Sequence, residues 1–281
     1  MEKFSKFFAM ASLIAVSSVG LFADEAYDVM KKSLNIETPN YSQSEILVDM
    51  IDKNGNVEST TVIMQYGRDT NDLIATIFDF KSPANVKNTR YLQSEKRGKM
   101  GDKYIYLPSL RTTRRVAATE RQKSFMGFDY AYDDMSLRDV DADTHEMLDA
   151  NETRKVGNTT YNCWSIKSTP KKKNDGGYSY RITHVDKNSY IPVFIEFFDK
   201  KKAPLKTWAC TELRQSTSTI GKKYWIRWDN MMTNLQTGHS TRVHLNKQVL
   251  DVEQPDRLFT QNWLNTGKYR RSEEHTSELQ S

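Results

Sequence analysis

The stretch SEILVDMIDKNGNVESTTVIMQY, Ser44–Tyr66, decides the fold. Ile46, Val48 and Met50 fall on one side of a period-two pattern and Glu45 and Asp49 on the other, the mark of a half-buried strand. Asn54-Gly55 follows within a few residues, and Asn-Gly between alternating segments is the strongest short signal for a β-hairpin. The return strand carries Val62, Met64 and Tyr66. A third strand over Leu73–Phe80 places Ile74, Phe78 and Phe80 on a common face, and strands at Thr89–Ser94 and Lys103–Leu107 extend a meander.

The second half repeats the texture. Thr160–Ser168, Tyr178–Asp186, Ile191–Phe198, Leu205–Leu213 and Lys222–Asp229 read as strands divided by turn-forming clusters, and a last strand covers Ser240–Val249. Helix is expected only over Asp24–Leu34, with Ala26, Val29, Met30 and Leu34 along one side, and briefly within Ser124–Met135. About ten or eleven antiparallel strands must curl, split or close. So little helix is poor cover for the apolar face of such a sheet. Periodicity leaves two outcomes open: a hollow that takes a ligand, lined by Ile46, Val48, Met50, Val62, Met64, Ile74, Phe78 and Phe80, or an interior packed by the protein's own side chains.

The N-terminus, Met1–Ala23, has Lys3 and Lys6 ahead of a short apolar run and reads as a secretory signal peptide. The alternative is an uncleaved leader acting as an anchor. Asp24–Arg270 forms the expected domain, with no Pro/Gly/Ser linker dividing it. RSEEHTSELQS, Arg271–Ser281, matches the translation of a common sequencing-library adapter and is set aside as non-native. The formal charge of +5 suits anionic surfaces such as lipid headgroups, and export argues against nucleic acid as a partner.

Signals for catalysis are poor: the chain has no Gly-x-Ser-x-Gly, no phosphate-binding glycine loop and no Cys-x-x-Cys. His239 and His244 alternate to opposite faces of a strand, so they do not suggest a shared metal. Asp133 and Asp134, or Asp139, Asp141 and Asp143, lack the glycine and terminal glutamate of a calcium loop and read as solvated acid. No metal and no cofactor is expected. Cys163 and Cys210 lie on strands that a meander separates by two others, roughly 14 Å, beyond the reach of about 7 Å that a disulfide allows. The lysine triplets at 171–173 and 200–202 sit at hairpin tips, where they solubilise or touch a membrane or an acidic partner.

YLPSLRTTRRV, Tyr106–Val116, followed by SFMGFDYAYDDM, Ser124–Met135, is the most unusual part of the chain. On Leu107, Pro108, Leu110, Arg111, Arg114, Arg115, Ser124–Gly127, Asp129, Tyr130, Tyr132 and Asp134, and on NLQTGHST (Asn234–Thr241) and DRLFTQNWL (Asp256–Leu264), it resembles the LolA-like outer membrane lipoprotein-sorting proteins. Phe128 departs from that pattern, where a small polar residue is more usual.

The resemblance implies a mainly β fold: a large curled antiparallel sheet forming an incomplete barrel, with an N-terminal helix and short lid helices over an apolar cavity. It also implies a non-enzymatic periplasmic carrier that binds the acyl chains of a lipid or lipoprotein and shuttles it between membranes. The carrier would be a monomer working beside a resistance-nodulation-division (RND) type inner-membrane transporter and an outer-membrane acceptor. In that setting Phe125, Met126, Phe128, Tyr130 and Tyr132 are expected to form an adaptable flap. Arg111, Arg114 and Arg115 are expected at the mouth, where guanidinium groups hold a headgroup or pair with Asp129, Asp133 and Asp134 to pin the empty flap. The competing readings are a lipid-free adaptor subunit of a membrane exporter and a lipid-modifying enzyme.

Overall fold

The computed structural model describes residues 15–70, 73–96, 99–172 and 175–268. The first fourteen residues of the expected leader and the whole adapter-like tail lie outside these. Helix α1, Ala15–Leu34, begins within the leader, and its Ala26 and Val29 are buried as the periodicity predicts. Among the described residues no helix is long and apolar enough to cross a membrane.

Among the described residues thirteen strands form one antiparallel sheet. In chain order they are β1 Tyr41–Ile51, β2 Val57–Asp69, β3 Ile74–Ser82, β4 Arg90–Lys96, β5 Lys99–Leu107, β6 Thr112–Arg115, β7 Asp143–Val156, β8 Thr159–Pro170, β9 Tyr180–Asp186, β10 Pro192–Phe198, β11 Pro204–Thr217, β12 Lys223–Asn234 and β13 Ser240–Leu250. Two are absent from the sequence reading: β6, which turns the Arg114–Arg115 segment into an edge strand, and β7. The spatial order is β6-β5-β4-β3-β2-β1-β13-β12-β11-β10-β9-β8-β7. Two meanders are thus joined through β1 and β13, and the sheet stays open at β6 and β7.

That order dictates what lies over the concave face. The chain leaves β6 at one edge and re-enters at β7, the opposite edge. Twelve strand intervals separate the two, roughly 55–60 Å if the sheet were flat. The connection Val116–Ala142 must therefore cross the whole hollow. It does so with three turns of 3-10 helix, at Ala118–Glu120, Tyr132–Met135 and Val140–Ala142.

The Asn-Gly hairpin forms as predicted: the Asp52 carboxylate accepts from the backbone N–H of Asn54 and Asn56, each at 2.8 Å, and Gly55 takes the left-handed φ of 87° that the turn requires. The register sets Ile46 opposite Ile63 and Val48 opposite Thr61. A period of two then puts Ile63 inside and turns Val62 and Met64 to the outer face, which corrects their expected place in the hollow.

The sheet has cover on both sides. Inside, Ile46, Val48, Ile63, Phe80, Tyr91, Ile105 and Leu245 pack with Phe125, Phe128 and Tyr132 of the crossover. At the other end of the concave face α1 lays Ala26 and Val29 on Ile166 and Val185. Outside, Ala75, Ile77 and Leu92 are covered by Leu258, Phe259, Trp263 and Leu264. These belong to the C-terminal segment with α2, Gln261–Thr266, whose Thr260 cap accepts from the Trp263 N–H. Each large apolar side chain buried this way contributes about 1.5–3 kcal/mol.

Candidate functional site: a hollow beneath the crossover

The crossover fills only part of the concave face. Beside it lies a cavity of about 600 Å³, within the range of ligand pockets. One end is apolar, with Ile46, Val48, Ile63, Phe78, Ile195 and Met232 on the sheet and Phe125, Phe128 and Tyr130 on the crossover. The other end, toward α1, is charged, with Arg138, Asp143 and Arg181.

Of the residues expected to line a hollow, Ile46, Val48 and Phe78 do so. Met50 and Phe80 face the same way but pack beneath the crossover. Ile74 borders a smaller neighbouring hollow of about 380 Å³ together with Gln93, Glu95 and Leu245.

The flap residues come together. Phe125 is the hub: its ring lies 4.9 Å from Tyr91, 5.2 Å from Tyr132, 5.9 Å from Phe78 and 6.0 Å from Phe128. A tight loop presents it, closed by the Phe125 N–H donating to the Tyr130 carbonyl at 2.8 Å and the Ser124 hydroxyl donating to the Phe128 carbonyl at 2.7 Å. Met126 and Gly127 take the positive φ values of 54° and 89° at its tip. The large Phe128, where the resembling proteins favour a small polar residue, is 6 % exposed and belongs to the core. Tyr130 donates from its hydroxyl to Asn230 Oδ1 at 2.6 Å, and burial pushes its phenol far above the usual range.

The pinning ion pairs differ from those expected. Arg114 pairs with Glu120 at 2.7 Å, Arg115 pairs with Asp102, and Arg111 stands exposed in the turn between β5 and β6. The reason is local: Leu107 pairs with Thr112 and Tyr104 with Arg115, so the arginines ride on a short edge hairpin instead of reaching back to the flap. Other cations meet the acids. Lys206 of β11 binds Asp134 Oδ2 at 2.5 Å, and the Tyr178 hydroxyl donates to Oδ1 at 2.6 Å. Asp129 is held by His239 Nδ1 and the Thr241 hydroxyl, both at 2.7 Å. Asn234–Thr241 and Ser124–Met135, two of the stretches singled out in the sequence, therefore meet in space.

Beneath the flap Lys103 is fully buried, 3.9 Å from both Glu95 and Asp133. Burial lowers the Lys103 pKa and raises those of both carboxyls. Asp139 and Asp141 sit in the last turn of the crossover, but Asp143 is a buried ion-pair centre, held by Arg138 at 2.5 Å and Arg181 at 2.7 Å. The reading of these acids as solvated is corrected at Asp143 and at Asp134, whose carboxylate is buried against Lys206. His239 and His244 part company, His244 bonding Asp229 at 2.9 Å. Among the described residues no group of three metal-ligating side chains converges. Lys206, Lys103 and Arg181 escaped the sequence reading because each is a cation inside a strand, where alternation alone does not reveal an inward charge.

Residues 74–266 match the model of a family described as an uncharacterized protein, and the chain belongs to that family. No curated protein matches. Among solved structures, the chain is similar to a Vibrio parahaemolyticus domain whose description names outer membrane lipoprotein sorting: TM-score 0.75, 24% identity, 86% of this chain and 99% of that one. A DUF1329 family protein from Desulfovibrio piger gives a TM-score of 0.74 at 23% identity, over 86% of this chain and 99% of the other. A LolA superfamily protein from Nitrosomonas europaea gives 0.58 at 14% identity, over 85% and 98%. The fold is LolA-like: an antiparallel sheet curled into an incomplete barrel.

Proposed function

We propose that this chain is a periplasmic, non-enzymatic carrier that binds acyl chains of a lipid or lipoprotein in the hollow and moves them between membranes. The observation that carries this reading is the pairing of a cavity of about 600 Å³, apolar at one end, with a crossover whose aromatic side chains pack over that end. The strand ladders do not run through the crossover, so it can lift as a local opening without unravelling the sheet. The described fold of the neighbours, with a sorting description attached to one of them, agrees with such a role. A transporter in the inner membrane and an acceptor at the outer membrane would supply and receive the cargo, with the carrier acting as a monomer.

Native mass spectrometry of the mature protein isolated from a periplasm tests this. The expected result is a population carrying phospholipid, fatty acid or acylated peptide. Protein that is bare after isolation and takes up no lipid from vesicles would overturn the carrier and favour the exporter adaptor.

A further inference from the structure

The sheet is not continuous where β12 meets β13. Their ladder runs only from Asp229 to Thr233 on β12, paired with Ser240 to His244 on β13. Below it, β12 from Lys223 to Arg227 pairs with β11, and β13 from Leu245 onward pairs with β1. Among the described residues the next ties come at the far end, where the Thr219 N–H, in the turn before β12, donates to the Leu250 carbonyl and the Tyr224 hydroxyl to Asp251 just past β13. Between these closures the wall of the hollow is split. A bulge on β12 lies here, because Glu212 pairs with Asp229 and Leu213 with Arg227, leaving Trp228 over. A bulge re-aims the residues beyond it.

Arg227 stands at this split and borders both the apolar hollow and the smaller, more polar one. It lies deep among protein atoms, yet it is open to solvent, and both hollows border it. The other arginines of these walls are neutralised: Arg138 and Arg181 by Asp143, and Arg68 by Asp256. Arg227 meets no carboxylate and no hydrogen-bond acceptor among the described residues. Its guanidinium lies 5.7 Å from the Trp208 ring. Gln248, also lining the smaller hollow, leaves its side-chain oxygen buried without a donor, and the opposite orientation of that amide would offer an N–H instead. A guanidinium keeps its charge in any protein setting. It fits carboxylate or phosphate through two parallel N–H bonds.

We infer that Arg227 is the anchor for the anionic head of an amphiphile, a carboxylate or a phosphate, whose apolar tail lies along Trp208, Met232 and Ile195. The head sits at the split between β12 and β13, and the tail occupies the apolar end of the hollow. This inference rests on the carrier reading and adds to it the charge of the cargo and the place of its head.

The test compares oleate, dioleoylphosphatidylglycerol, oleyl alcohol and inorganic phosphate as ligands for the wild-type chain, R227Q and R227K, with thermal melts to establish that each is folded. Both anionic amphiphiles, or one of them, should bind the wild type about tenfold or more tightly than oleyl alcohol, as expected when a charged hydrogen bond is gained. R227Q should lose that margin and retain the affinity for oleyl alcohol, and R227K should keep part of it. Preference for oleate assigns a carboxylate head, and preference for phosphatidylglycerol a phosphate. Equal binding of oleate and oleyl alcohol by the wild type, or an unchanged margin in folded R227Q, would overturn the anchor and leave the carrier standing. Inorganic phosphate alone binding as tightly as the amphiphiles would replace the amphiphile with a free anion. Failure of every amphiphile to bind the wild type would remove the carrier as well.

Discussion

Lys206 of β11 reaches the carboxylate of Asp134, which lies 72 residues earlier at the end of the flap, with Nζ 2.5 Å from Oδ2 and both side chains more than 90 % buried. The same ammonium donates to the Asp129 carbonyl at 3.1 Å, so one side chain holds two points of the crossover against the sheet. Removing one partner of a buried pair leaves the other charge without compensation and costs about 3–5 kcal/mol. K206M should be destabilised by that order in denaturant melts. Hydrogen exchange should rise first in residues 124–135, with β1 and β2 still protected. Exchange that rises evenly across the sheet would show that Lys206 supports the whole fold instead of the flap.

Arg114 and Arg115 give the opposite expectation. Both are substantially exposed, 42 % and 63 %, and each pairs with an acid close by in the chain or on the neighbouring strand. Exposed pairs of this sort contribute about 0–1 kcal/mol. R114A/R115A should melt within a few degrees of the wild type and take up oleate with unchanged affinity. A loss of affinity would return the edge hairpin to the mouth of the binding site.

The contrast between these two sites shows what the sequence reveals and what it hides. Ile46 and Val48 could be read as inward because they stand alone among polar neighbours. Val62, Ile63 and Met64 are three apolar residues in a row, so alternation cannot choose between the two parities. The register across the Asn54-Gly55 turn makes the choice, by setting Ile63 against Ile46. Strand β7 is hidden in the sequence because DTHEMLDANETRKV, Asp143–Val156, is an edge strand with half of its residues exposed, which leaves few apolar residues to mark a period. The acids of the crossover do meet cations, but which cations depends on the order of strands. That order carries the crossover away from Arg114 and over Lys206. Arg227 needs still more: its place in the hollow follows a bulge, which no alternation shows.

Asp143 should set the acid limit of stability. Burial alone would raise its pKa, but the hydrogen bonds and charges of Arg138 and Arg181 outweigh this and bring it below the usual 3.8. The folded state thus favours the ionised form. Its stabilisation is fully present above the unfolded value, about pH 4, and is lost as the pH falls through the lowered folded value. The melting temperature should stay level from about pH 7 to pH 5 on account of this group and drop below about pH 4. D143N should be less stable at neutral pH, by about 3 kcal/mol, and should show a shallower acid limb. An acid limb of equal depth in D143N would place the titrating group elsewhere, with Asp229 next in line, since bonds from Arg242, Thr211 and His244 also outweigh its burial and lower its pKa.

Cys163 on β8 and Cys210 on β11 are separated by β9 and β10 in the sheet, and both are free and fully buried. Burial pushes the Cys163 thiol up to about 12 and the Cys210 thiol up to about 11, leaving almost no thiolate at neutral pH. The thiolate is the reactive form. In the native protein both should resist an aromatic disulfide reagent at pH 8, and both should react at once in denaturant. Peptide mapping without reductant should recover the two residues in separate peptides, even from protein folded in an oxidising compartment. A linked pair would require β8 and β11 to be neighbours, which the hydrogen-bonded ladders from β8 to β9, β9 to β10 and β10 to β11 do not allow.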